Sequence, residues 1–326
     1  MLSTKRFGGM VVLGVVAVLL VAGSAFAAIE LRMSQVSAAD GAIGRSMERF
    51  AELIKERTEG RYVVHTFHNG QLGSERDTIE ACQLGNLDIA VVNQSPLGNF
   101  VSEISAVDLP YVILDYEHAD RIFLGEIGEG FLKKLDEVGL HGLAIWESGF
   151  RNLTNSKRDI HSVEDVEGLR IRVMENRIHQ SLWRALGTDP VPMAWGDAYT
   201  ALQQGAIDGQ ENPATVIDKN NVVEVNKKMA ITEHCYSTVF LIMSPSAWNS
   251  LSAEDRKIFK EAVEETGLFE RELSRAMDVE AIASLESKGM VVTRPDKQGF
   301  VDASRSVRET FGTEFADMLA KIEALK

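Results

Sequence analysis

Residues 61–92 read RYVVHTFHNGQLGSERDTIEACQLGNLDIAVV, and the signals in this stretch decide the fold class. Arg61 to His68 is rich in β-formers, Asn69-Gly70 marks a turn, and Leu87 to Val92 is a compact apolar strand. Between them, Ser74 with Asp77 sets a capping-box-like helix start. Upstream, residues 31 to 36 read as a further strand, and Ile43, Met47, Phe50, Ala51 and Ile54 recur at helical spacing until Gly60 supplies a stop. Strand-helix-strand-helix-strand is the grammar of a doubly wound α/β lobe.

Downstream, residues 117 to 140 are helix-rich. Gly142 to Glu147, Arg151 to Thr154 and Leu169 to Met174 then read as separate strands that open a second α/β lobe. Within it, Ile178, Leu182, Trp183, Ala185 and Leu186 pattern as a helix ending at Gly187, and Trp195 to Gln204 forms another. Ser252 and Asp255 cap a helical pattern that persists to Gly289. At 1.5 Å per residue that helix is roughly 55 Å long, longer than a small lobe is wide, so it is expected to lean on both lobes. The alternative is two helices broken near Gly267, since interior glycine costs only about 1 kcal/mol relative to alanine.

The chain starts with Lys5 and Arg6, an apolar run from Met10 to Val21, and the small-x-small pattern Ala25-Phe26-Ala27. This is the form of a secretory signal cleaved after Ala27. The apolar run is too short for a membrane anchor, which needs roughly 20 residues. Loss of Lys5 and Arg6 with no acidic residue moves the formal net charge of the 326-residue chain from −14 to −16. A surface that acidic argues against nucleic acid and anionic lipid as partners. The two cysteines, Cys82 and Cys235, read as buried thiols, with a single disulfide as the alternative. The seven histidines are scattered without ligand spacing, so no metal is expected. Gly-x-Ser-x-Gly elbows and two-histidine zinc helices are absent, so no enzyme chemistry and no cofactor are expected.

Arginine is where the chemistry can sit. Arg151 follows Glu147-Ser148-Gly149-Phe150 at the start of a strand, and Arg170 and Arg172 alternate with Ile171 and Val173. A planar guanidinium offers carboxylate two parallel charge-assisted hydrogen bonds. All three arginines read equally as solvated surface residues, and alternation cannot choose between Arg170 and Arg172. The block Ala201 to Pro213, ALQQGAIDGQENP, is a dense run of turn and amide residues that packing alone does not explain.

Six marks occur in order: Gly70 to Asp77 (GQLGSERD), Asp108-Leu109-Pro110-Tyr111, Gly149-Phe150-Arg151, Gly168 to Met174, the Ala201 to Pro213 block and Thr232-Glu233-His234. With these the chain resembles, over essentially all of its length after residue 27, the substrate-binding proteins of tripartite ATP-independent periplasmic (TRAP) transporters of the dicarboxylate-binding, DctP-like kind. The resemblance implies a periplasmic two-lobe α/β binding protein with a long lobe-spanning helix. Such a protein closes over a small organic acid and delivers it to integral membrane subunits. The expected division is 1–27 as signal, 28–148 with about 237–275 as lobe I, and 149–236 with about 276–326 as lobe II.

By the same resemblance Arg172 is the carboxylate clamp, Arg151 the arginine that assists it, and Asn212 the asparagine that holds the same carboxylate. Asn93, with Gln94 beside it and Glu75 as a further candidate, would meet the distal part of the ligand. Trp195 would pack against the ligand and Gln35 completes the set. Core packing is the alternative for Trp195, and a helix N-terminus role is the alternative for Glu75. His234 reads as a satisfied structural histidine. The neutral amides favour a hydroxylated acid such as a sugar acid. A C4-dicarboxylate, a sulfonate, or a sensing role beside a membrane receptor are the alternatives, and a monomer is expected.

Overall fold

The computed structural model describes residues 27–326, so the signal reading of residues 1–27 lies outside the described residues, Ala27 apart. The strands are β1 (Ile29–Ser34), β2 (Tyr62–Phe67), β3 (Ile89–Asn93), β4 (His141–Asn155), β5 (Arg170–Val173), β6 (Asp189–Pro192), β7 (Gly209–Pro213), β8 (Lys228–Ala230), β9 (Tyr236–Met243) and β10 (Val291–Thr293). They lie in the order β2-β1-β3-β9-β4-β7-β5-β6, with β8 beside β4 and β10 beside β8. On one side β1 runs parallel to β2 and β3, and β9 is antiparallel to both β3 and β4. On the other, β5 runs parallel to β6 and β7, while β7 and β8 are antiparallel to β4. Two α/β lobes therefore share one strand.

That strand departs from the sequence reading. The two segments expected at 142–147 and 151–154 are one 15-residue strand. Register shifts between Gly142 and Ala144 and between Glu147 and Gly149 bend it without ending it, as bulges do. Gly149, at φ 106°, supplies the left-handed backbone that the second shift uses. The result is that His141–Phe150 pairs with β9 and Arg151–Asn155 pairs with β7 and β8.

The helix Ala253–Ser287 is continuous for 35 residues. Ser252 Oγ accepts the Asp255 N–H at 3.1 Å and caps its start. Gly267 does not break it, because Trp146 packs beside that turn and tertiary contact outweighs the local propensity. Arg49 and Arg57 of the helix Ala42–Arg57 both bond Glu265 in its first half. Ser284 and Lys288, at its far end, reach Asp218 of the helix Ala214–Lys219 at 2.9 and 2.7 Å. One rod thus rests on both lobes. Under its first half lies a core of Met47, Phe50, Ile54, Trp146, Leu241 and Phe259.

The C-terminal tail touches both lobes. Lys297–Ala303 and Arg305–Gly312 pack on the second lobe, against residues 163–166 and the helix Arg177–Ala185. The last helix, Ala316–Glu323, returns to the first lobe, where His118 Nε2 lies 3.1 Å from the Ile322 carbonyl and Arg121 bonds the Leu325 carbonyl. Cys82 and Cys235 are free and buried. Among the described residues no helix is long and apolar enough to cross a membrane.

Candidate functional site

Between the lobes lies a cleft lined by Arg172, Arg151, Asn212, Trp195, Asn93 and Glu75, with Val36, Ser37, Ile43, Ser148, Met174, Val216 and Val239 as its remaining walls. Six of the eight residues singled out in the sequence are brought together here.

Arg172 is placed by strand alternation. Its neighbours Ile171 and Val173 are fully buried in the lobe core, and Arg172 points the other way into the cleft. Its Nε donates to the Met193 carbonyl at 2.8 Å, and its guanidinium sits 5.4 Å from the centroid of the Trp195 ring. Among the described residues neither terminal nitrogen has a protein hydrogen-bond partner, so both point their donors at the space between the lobes. Burial lowers its pKa to about 10, with Arg151 adding repulsion and Glu211 and Glu75 opposing it, so the group stays charged at neutral pH. Arg170, its rival by pattern, is half-exposed and held by Asp208 at 2.8 Å and by the Gly205 carbonyl.

Arg151 also faces the cleft but is already engaged. Its fork meets Glu211, with Nη2 2.9 Å from Oε1 and Nε bonding Oε2, and its Nη1 reaches Ser237 Oγ at 3.3 Å. Burial works to lower the Arg151 pKa, but the Glu211 charge and hydrogen bonds outweigh it and leave the pKa raised. Burial likewise works to raise the Glu211 pKa, and Arg151 with the His234 hydrogen bond holds it well below the usual carboxylate range. His234 lies 3.0 Å from Glu211 and 2.9 Å from the Thr232 hydroxyl, a satisfied buried histidine whose pKa burial lowers. The pair Arg151–Glu211 is therefore a neutral wall.

Asn212 stands opposite Asn152 in the β4–β7 register, and its amide donates once, to Gln210 Oε1 at 2.7 Å. A second amide proton is left for the cleft. Asn93 caps the short helix that follows it by accepting from Ser95 N at 3.1 Å, and it donates to Ser237 Oγ at 2.7 Å. Glu75 opens the helix Glu75–Gln83, and its Oε1 accepts the Asn93 backbone N–H at 2.5 Å. Burial pushes its pKa up, against the pull of that N–H and of Arg172 and Arg151.

Two of the expected residues do not reach the cleft. The Gln94 amide is saturated, donating to Asp108 Oδ1 and the Tyr236 carbonyl and accepting from Thr238 N and Oγ1. Gln35 turns to His68 Nδ1 at 2.8 Å, and the two residues after it, Val36 and Ser37, line the cleft instead. Ser148 also lines it, from within the Glu147-to-Asn152 segment that drew attention for its arginine.

Asp108, His179 and Cys235 hold their ligand atoms within 4.8 Å of one another, a spacing that suits a metal. The Asp108 carboxylate, however, already accepts from Gln94, Ser95 and Asn176 at 2.9, 2.6 and 2.9 Å. A carboxylate so occupied is a structural hub linking the short helix Gln94–Leu97 to the cap of the helix Arg177–Ala185, and its chemistry does not favour a cation.

Residues 33–314 match the DctP family, bacterial extracellular solute-binding protein family 7. A solute-binding protein of Verminephrobacter eiseniae is 36% identical over 293 residues, 90% of this chain and 88% of its own length. A TRAP periplasmic solute-binding protein from Polaromonas, solved bound to D-erythronate, is 38% identical and superimposes with a TM-score of 0.89, covering 91% of this chain and 99% of its own. A TRAP periplasmic solute-binding protein from Bordetella, whose density was interpreted as pantoate, is 34% identical with a TM-score of 0.87 over 91% of this chain and 98% of its own.

Proposed function

Because this chain belongs to the DctP family of TRAP solute-binding proteins, we propose that it captures a small hydroxylated carboxylate in the cleft between its lobes and presents it to the membrane subunits of its transporter. The family is one of periplasmic transport receptors, not enzymes. The observation that carries the ligand class is Arg172, a buried cation whose two terminal nitrogens lack protein partners among the described residues while Asn212 offers an amide proton beside it. A carboxylate satisfies that fork with two parallel bonds. The global acidity does not oppose this, since salt screens exposed charge over about 8 Å while clamp contacts act near 3 Å.

The sugar-acid form of the ligand is favoured over other acids by the polar far wall, Asn93, Ser37 and Ser148, and by the relative that holds D-erythronate. Cleavage after Ala27, a monomeric state and a lobe division at about residues 148, 236 and 275 complete the proposal. A melting-temperature screen over aldonates, uronates, pantoate, dicarboxylates and sulfonates tests it. A hydroxylated monocarboxylate at 100 times its Kd stabilises the fold by about 2.7 kcal/mol. A screen in which no organic acid raises the melting temperature removes the reading.

A further inference from the structure

The charge inventory of the cleft is small enough to count. Of the residues that line it, Arg172, Arg151 and Glu75 are charged. Arg151 is neutralised by the bidentate Glu211 behind it, which leaves the Arg172 guanidinium and the Glu75 carboxyl group facing the ligand. Among the described residues the adjoining space adds no free cation: Lys219 on its rim is 3.4 Å from Asp40, and Glu147 is held by Arg271 and Arg275. Glu75 accepts with Oε1 from the Asn93 N–H, and among the described residues its Oε2 has no partner.

From this juxtaposition we infer that Glu75 selects the ligand class. Its free carboxylate oxygen takes a hydroxyl donor from the ligand and repels a second carboxylate, so the site is built for hydroxy monoacids and against dicarboxylates. This rests on the proposed binding function and names which acid that function serves. A monoacid on Arg172 replaces the hydration of one cation with a matched anion. A dicarboxylate of the same length brings a second negative group toward Glu75, with no cation left to meet it. Like charges set against each other in a partly dry interface are the ordinary device by which a site rejects a competitor.

Calorimetry at pH 8 tests this with D-erythronate, succinate and monomethyl succinate. The wild-type protein should bind D-erythronate at least about tenfold more tightly than succinate, and monomethyl succinate more tightly than succinate, because removing one charge removes the repulsion. Glu75→Gln keeps an oxygen to accept the Asn93 N–H. It should weaken D-erythronate and strengthen succinate, shrinking the ratio by about tenfold or more. Equal affinity of the wild-type protein for erythronate and succinate, or an unchanged ratio in Glu75→Gln, overturns the selector role while leaving an acid receptor in place. If the variant does not fold, the wild-type comparison of succinate with its monomethyl ester decides alone, and tighter binding of succinate overturns the inference. Failure of every organic acid to bind wild-type protein overturns the receptor reading as well, so the two failures are told apart.

Discussion

Two clusters of buried charge sit on β4, within a few residues of each other, and they are wired differently. At the back, Glu147 accepts from Tyr236 Oη at 2.6 Å and from Arg271 and Arg275 at 3.0 and 2.9 Å, while Asp120 accepts from the same two arginines. At the front, Arg151 is closed off by Glu211, but Arg172 keeps two nitrogens without a protein partner among the described residues. Both clusters are charged, buried and hydrogen-bonded. Only the front one brings its unpartnered guanidinium nitrogens to the cleft between the lobes, and that placement, not burial or charge as such, marks a binding site. The back cluster ties the long helix to the strand shared by the lobes.

The difference can be broken from either end. Glu147→Ala leaves two arginines without their buried partner and should cost about 3–5 kcal/mol of stability, read by urea denaturation, while the affinity of the remaining folded protein for its acid changes little. A stable Glu147→Ala protein that fails to bind would assign ligand chemistry to the back cluster. Arg172→Ala should do the converse, losing about 2–5 kcal/mol of binding, roughly thirty-fold to several-thousand-fold, with an unchanged melting temperature in the absence of ligand. Arg170→Ala is its control, and binding within about twofold of wild type is expected because Arg170 is engaged by Asp208 outside the cleft.

A pH-dependent effect concerns Glu270, whose Oε2 accepts the Glu147 N–H at 2.8 Å and whose Oε1 is buried without a partner among the described residues. Burial, reinforced by Glu147 and opposed by that N–H, pushes its pKa up to about 8 from 4.5. The folded state therefore binds more protons than the unfolded one between those values, and the Glu270 contribution to stability is lost as pH rises from about 4.5 through about 8. Glu270→Gln should match wild type at pH 4 and exceed it by about 1–3 kcal/mol at pH 9. Parallel stability curves for the two proteins would mean that folding leaves the Glu270 pKa unshifted.

Local patterns were legible in the chain and distant partnerships were not. The helix cap at Ser252, the capping box at Ser74 and Asp77 and the alternation around Ile171 are short-range features, and each forms where the pattern puts it. The choice between Arg170 and Arg172 turns on Asp208, which is 38 residues away, and alternation carries no trace of it. Gln94 looked like Asn93 because both are exposable amides beside a strand end. One of its donors and its acceptor are taken by β9, more than 140 residues later, and its other donor by Asp108. The bend in β4 reads as a gap between two strands because glycine usually ends a strand, yet here it lets one strand serve two sheets. The return of the last helix to the first lobe depends on His118 and Arg121, and the chain near residue 320 says nothing of them.

The strand order also sets a timetable. β9 lies between β3 and β4 at the centre of the first lobe's sheet, and all eight of its residues are buried. β3 and β4 have no direct pairing to fall back on, so a chain growing from its N-terminus cannot close that sheet until residue 243 has been made. The lobe whose first strands are synthesised earliest is thus completed late. The nascent protein keeps its first lobe open for most of its synthesis, and a cut anywhere between residues 93 and 236 would divide that lobe between the two fragments.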